Sequence, residues 1–150
     1  GTRPISPASD RLAMVEAAVA DVEGLVAGSL EIEHGGHSYT ADTLVALQQD
    51  YPGAEVFTIV GADAANGFET WERSEEVARL SRLVVVDRPG SRTEPPALPV
   101  GGWIRVEIPH LEVSSTDLRS RVVDGRPLDY LVPATVLAVI RDRGLFMEEL

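Results

Sequence analysis

The segment Val113-Ser114-Ser115-Thr116-Asp117-Leu118-Arg119 carries the densest chemistry in the chain. Three successive hydroxyls at a helix start would sit beside backbone N–H groups that have no intrahelical partner, at the positive end of the helix dipole. That arrangement attracts an anion. Arg119 follows one turn in, on the side of the first hydroxyls, where its planar fork suits a phosphate. Ser114 with Asp117 also fits a capping box, but a cap needs only one hydroxyl, so phosphate binding is the preferred reading.

Four further segments bear on chemistry. Gly61-Ala62-Asp63 directly follows an apolar run; the glycine admits close approach of a ligand, and the aspartate can accept from a ribose or an amide. An ordinary strand-to-helix turn with an Asp cap fits equally well. Phe68-x-x-Trp71 is first a packing pair, yet its neighbours Glu69, Thr70, Glu72 and Arg73 put the indole at a boundary, where it would form a stacking platform for a flat heterocycle. Ser38-Tyr39-Thr40 enters a helix with Thr40 as its cap. His34-Gly-Gly-His37, near Glu33 and Asp42, lacks an evident third and fourth ligand in a chain of three histidines, so no metal site is assigned. No apolar carboxylate pair, serine elbow or glycine-rich phosphate loop is present.

These segments need a scaffold, and apolar spacing predicts one. Ser6-Pro7 opens a helix whose stripe runs Leu12, Val15, Val19, Val22, Val26. Ser29–Glu33 alternates as a short strand. A second helix carries Leu44 and Leu47 and stops at Tyr51-Pro52-Gly53. Val56–Val60 is a continuous, fully buried type of strand. A helical region over 64–80 leads to the strand Leu83–Val86, which ends at Arg88-Pro89-Gly90, and a loop follows through Gly102. Trp103–Ile108 is a third core strand. A helix from Ser114 or Ser115 closes near Asp124-Gly125. The last helix starts at Pro133, carries Val136, Val139 and Ile140, and ends at Gly144, with Arg141 and Arg143 solvated beside Glu148 and Glu149. Strands alternating with helices predict parallel β-α-β units, hence an α/β fold of one domain over 1–150. Ligands of such sheets bind beyond the carboxyl ends of the strands.

Composition narrows the partners. The chain has 150 residues, 44% of them apolar, and a formal net charge of −11; all 13 basic residues other than histidine are arginine. So acidic a domain is a poor non-specific binder of nucleic acid. No run approaches the ~20 apolar residues of a membrane span. Without cysteine, disulfides and thiolate metal sites are excluded. With no signal-peptide pattern, a cytoplasmic setting is expected. Homo-oligomerisation is left open.

Taken in order, Ser38-Tyr39-Thr40-x-x-Thr43-Leu44, Gly61-Ala62-Asp63 with Phe68-x-x-Trp71, Val84-x-x-x-Arg88-Pro89-Gly90, Val113-Ser114-Ser115-Thr116-x-Leu118-Arg119, Tyr130-Leu131-Val132-Pro133 and Gly144-Leu145-Phe146 resemble the bacterial nicotinate-nucleotide adenylyltransferases. Ser6-Pro7-x-x-x-Arg11-Leu12-x-Met14 also matches a helix of that family. The resemblance implies a Rossmann-like parallel sheet with flanking helices, of nucleotidyltransferase type. It implies transfer of AMP from ATP, with Mg²⁺, to nicotinate mononucleotide, giving deamido-NAD and pyrophosphate. Trp71 would stack on the nicotinate ring, with Tyr39 and Thr40 at its carboxylate end. Gly61 and Asp63 would line the nucleotide cleft, and Arg88 would flank it. Ser114, Ser115, Thr116 and Arg119 would hold ATP phosphates, Arg119 being the catalytic residue. The family's opening strand and its His-x-Gly-His phosphate motif do not occur, and the chain starts at Gly1-Thr2-Arg3-Pro4. The sheet is therefore expected to lack its first β-α unit, and these 150 residues to be inactive or weakly active alone. The alternatives are an adenylyltransferase for another phosphorylated acceptor, such as a pantetheine phosphate, or a non-catalytic nucleotide-binding or interaction domain.

Overall fold

Three runs rich in β-branched and aromatic residues form the sheet of a computed structural model that describes residues 6–87 and 102–147. Strands β1 (Phe57–Gly61), β2 (Arg82–Asp87) and β3 (Trp103–Glu107) are all parallel, in the order β1-β2-β3. Helices α1 (Ala8–Val19), α2 (Leu30–His34), α3 (Thr40–Asp50), α4 (Ala62–Asn66), α5 (Ser74–Leu80), α6 (Ser115–Val123) and α7 (Ala134–Asp142) complete the α/β architecture. The chain forms two compact units, Leu30–Leu111 and Gly1–Ser29 with Glu112–Leu150. Among the described residues no helix is long and apolar enough to cross a membrane.

In the sheet unit, register partners share a face: Ile59 lies beside Val84, and Leu83 beside Trp103. Leu83 and Val85 point to the covered face and pack in one cluster with Ala41, Leu44, Ala62, Ala65, Phe68 and Val77. The run ending in β1 is not buried on both sides as its apolar continuity predicts: Ile59 is 70% exposed and Phe57 is exposed as well. An unbroken β-branched run suits a one-sided strand too, because the pleat turns alternate residues to opposite faces.

Other expectations change as well, and β3, expected as a core strand, packs against the core only through Trp103, with Ile104 and Val106 exposed. Leu30 and Ile32 belong to α2, not to a strand. Five alternating residues fit either state, and here Glu31 joins α3 by accepting from the Thr43 hydroxyl at 3.0 Å. The helical region over 64–80 is three pieces: α4, a 3₁₀ turn at Phe68–Thr70, and α5. Gly67 ends the first, Phe68 turns into the core at 2% exposure, and Arg73 adopts a left-handed backbone (φ 53°) before α5.

In the helical unit, α1 stops at Val19, short of the predicted stripe, so Val22 and Val26 are exposed. Pro7, expected as the first helical residue behind a Ser6 cap, is itself the cap, and among the described residues no side chain bonds to the helix start. The Thr135 hydroxyl donates to the Ala17 carbonyl at 2.7 Å, and Arg143 pairs with Asp10 at 2.7 Å, so Arg143 is more than a solvated terminal charge. Helices α6 and α7 both end on a glycine with positive φ. The N–H groups of Gly125 and Arg126, and of Gly144 and Leu145, return to carbonyls of the last turn.

Leu83→Ala is expected to lower unfolding free energy by about 2–5 kcal/mol, the usual range for emptying a packed site. Ile59→Thr, on the exposed face, should change it by no more than about 0.5 kcal/mol. Urea unfolding of the two variants measures both.

Candidate functional site

The carboxyl end of β1 leads directly into the first part of the site. Gly61 is the last residue of β1 and the cap of α4, with φ −72° and ψ 161°, an extended conformation open to any residue. A methyl group at Gly61 would meet nothing within 4 Å. The protein itself therefore gives no steric reason for glycine, and the space above that backbone is open. Asp63 follows in the first turn of α4 and is exposed, while Ala62 between them turns into the core.

Tyr39 caps α3 through its backbone, its carbonyl accepting from Asp42 N–H at 3.0 Å, and its ring is 44% exposed. Thr40, expected as the cap, is instead the first helical residue, because the extended residue at this helix start is Tyr39. Trp71 lies just past the 3₁₀ turn, partly buried against the core, with its ring 5.2 Å from that of Phe68 and tilted by 48°.

One apolar cluster is the base for all of these. Ala41 (next to Thr40), Ala62 (between Gly61 and Asp63) and Phe68 (under Trp71) are buried together. The guanidinium of Arg73, two residues past Trp71, also donates to the carboxylate of Asp42, two residues past Thr40. Nothing in the sequence pairs these two residues, which stand 31 positions apart. Among the described residues no group of three or more His, Asp or Glu side chains is gathered to hold a metal ion.

Arg88, with Pro89 and Gly90, lies outside the described residues. Just before it, Asp87 ends the central strand almost fully buried. One of its oxygens is 2.7 Å from Arg105 Nε, and the other has no hydrogen-bond partner among the described residues. An unsatisfied buried acceptor at the carboxyl edge of a parallel sheet has no sequence signal beyond an aspartate that closes a valine run.

The phosphate-binding candidates belong to the helical unit, so Trp71 lies in one unit and Arg119 in the other. Ser114 caps α6, its hydroxyl oxygen accepting from Asp117 N–H at 3.1 Å. Ser115 and Arg119, one turn apart, both line a cavity of about 210 Å³ whose remaining walls are apolar and include Met14, Leu118, Val136 and Ile140. Arg119 Nε is buried there without a hydrogen-bond partner among the described residues. Thr116 is exposed and outside that lining.

Arg121 Nε–H donates to Asp117 at 2.8 Å. That bond holds the Asp117 carboxyl below the usual carboxylate range, outweighing the desolvation that raises it, and the Arg121 and Arg126 charges add to the lowering. The group's support of α6 is thus present above the unfolded-state pKa and is lost as pH falls through the lower folded one.

Two substitutions separate scaffold from site. Ser114→Ala is expected to cost about 1 kcal/mol in urea unfolding through loss of the cap. Gly61→Ala is expected to shift stability by less than about 0.5 kcal/mol, since its methyl group meets no protein atom.

Known proteins share both the sequence and the fold. Residues 1–121 match the model of the cytidylyltransferase-like family. A relative from Streptomyces coelicolor named "probable nicotinate-nucleotide adenylyltransferase" is 41% identical over 98% of this chain and 78% of its own. One of the same name from Saccharopolyspora erythraea is 40% identical over 97% of this chain and 68% of its own. In fold, the chain resembles the Plasmodium falciparum nicotinic acid mononucleotide adenylyltransferase complexed with NaAD, with a TM-score of 0.72 at 14% identity, over 96% of this chain and 76% of that one. With that much identity along almost its whole length, the chain belongs to the cytidylyltransferase-like family and, within it, to the nicotinate-nucleotide adenylyltransferases.

Proposed function

We propose that this chain binds nicotinate mononucleotide and ATP and serves adenylyl transfer between them. In that reaction a 5′-phosphate oxygen of the mononucleotide attacks the α-phosphorus of ATP. The bond from that phosphorus to the β-phosphate bridging oxygen breaks, and deamido-NAD and pyrophosphate result. Little covalent chemistry falls to the protein; it must orient two phosphates and offset their charge.

In this reading Trp71 stacks on the pyridine ring, and the Tyr39–Thr40 turn meets the ring carboxylate. Gly61 lets the nucleotide come down onto the backbone, Asp63 accepts from its hydroxyls, and Arg88 flanks it. Ser115, Thr116 and the amides opening α6 receive ATP phosphates, with Ser114 closing the helix start. Arg119, whose Nε has no protein acceptor, is the cation that would meet charge developing on the phosphates. Mg²⁺ travels on the ATP phosphates as part of the substrate and offsets their charge. The two units would serve as one nucleotidyltransferase domain in the cytoplasm.

The observation that supports this most is the shared core beneath the pyridine-side residues. Ala41, Ala62 and Phe68 are buried in one cluster and carry Thr40, Asp63 and Trp71 beside them. Thermal-shift titration tests the reading. Nicotinate mononucleotide and ATP with Mg²⁺ should each stabilise the chain, by about 2.7 kcal/mol at a hundredfold excess over Kd. Trp71→Ala should abolish the first shift and keep the second. Stabilisation by neither ligand would contradict the proposal.

A further inference from the structure

We infer that the Arg73–Asp42 ion pair is a positioning device for the pyridine nucleotide, locking Trp71 in register with the Tyr39–Thr40 turn; this rests on the function proposed above. The connection can be followed bond by bond. Ser74 N–H donates to the Trp71 carbonyl at 3.2 Å, and Val77 N–H donates to the Arg73 carbonyl at 3.1 Å, so the backbone is tied on both sides of residue 73. The Arg73 guanidinium donates to Asp42 on α3, and its other terminal nitrogen lies 3.4 Å from Glu76 on α5. Asp42 N–H in turn donates to the Tyr39 carbonyl. From the indole to the phenol the path runs through two residues of chain, one ion pair and one turn.

Two features favour positioning over stability. Arg73 holds a left-handed backbone with φ 53° and ψ 44°, an unfavourable place for a side-chain-bearing residue and one associated with functional sites. The pair is also half exposed, at 41% and 46% for the two side chains, so solvent screens most of its attraction. Strained backbone and a screened ion pair make a poor stabiliser. They still define the azimuth of the segment that carries Trp71, because one planar guanidinium is bound to carboxylates on two different helices.

The test uses the full chain and nicotinate mononucleotide as probe, with Kd from calorimetry and Tm from thermal unfolding. Arg73→Gly should leave Tm unchanged or raised, since glycine accepts positive φ without penalty. It should weaken mononucleotide binding by about five- to tenfold and leave ATP binding unchanged. Asp42→Asn should give the same loss, and the double variant should be no worse than either single one, as for two halves of one interaction. Arg73→Lys, which keeps the charge but not the fork, should fall between. Wild-type affinity in Arg73→Gly, or additive losses in the double variant, would overturn the inference and leave the proposed function standing. No binding by the wild-type chain, or full binding by Trp71→Ala, would overturn both.

Discussion

The candidate site residues of the sheet unit depend on one apolar layer. Leu83 and Val85 of β2 face Ala41, Ala62, Ala65, Phe68 and Val77, and each of these is at most 8% exposed. Three of the seven are alanines, and at such positions small size is what lets helix backbone come close to sheet. A larger residue at Ala41, which is 0% exposed, would overpack and push the start of α3 away. Because Thr40, Gly61, Asp63 and Trp71 are chain neighbours or ring partners of that layer, its packing sets their relative places. The chemistry is borrowed from the core.

Charge follows a different logic. The chain carries −11, so its long-range field repels phosphorylated substrates, and capture must come from a few local cations and amides. Most described arginines face a carboxylate: Arg73 with Asp42 and Glu76, Arg105 with Asp87, Arg121 with Asp117, Arg143 with Asp10. Arg119 differs, its Nε buried in the cavity of the helical unit with no acceptor. A guanidinium nitrogen left without an acceptor in mostly apolar walls carries a desolvation cost that an acceptor would relieve. The bond from Arg121 holds the neighbouring Asp117 carboxyl below its ordinary range.

What was legible in the sequence was local or family-wide. The Ser114 cap, the glycine ends of α6 and α7, the three parallel strands and their order along the chain all follow from a few adjacent residues, and six ordered motifs pointed to the family. What was not legible needed contacts distant in sequence. Arg73 and Asp42 are 31 residues apart, and Arg143 and Asp10 are 133 apart, with no periodicity to pair them. The exposure of Ile59 was hidden because a run of β-branched residues reads the same whether one face or both are covered. The alternation of Leu30 and Ile32 was too short to separate helix from strand. The break of the 64–80 region turned on Phe68, which had to enter the core, and on Gly67 beside it.

The central claim is that the open space above Gly61 and the indole of Trp71 receive the same nucleotide. Nitrogen-15 NMR of the chain titrated with nicotinate mononucleotide tests it most directly. The account predicts that the Trp71 indole N–H and the Gly61 amide shift together and saturate at one concentration, while the Trp103 indole moves little. Saturable binding that leaves both Trp71 and Gly61 unperturbed would contradict it.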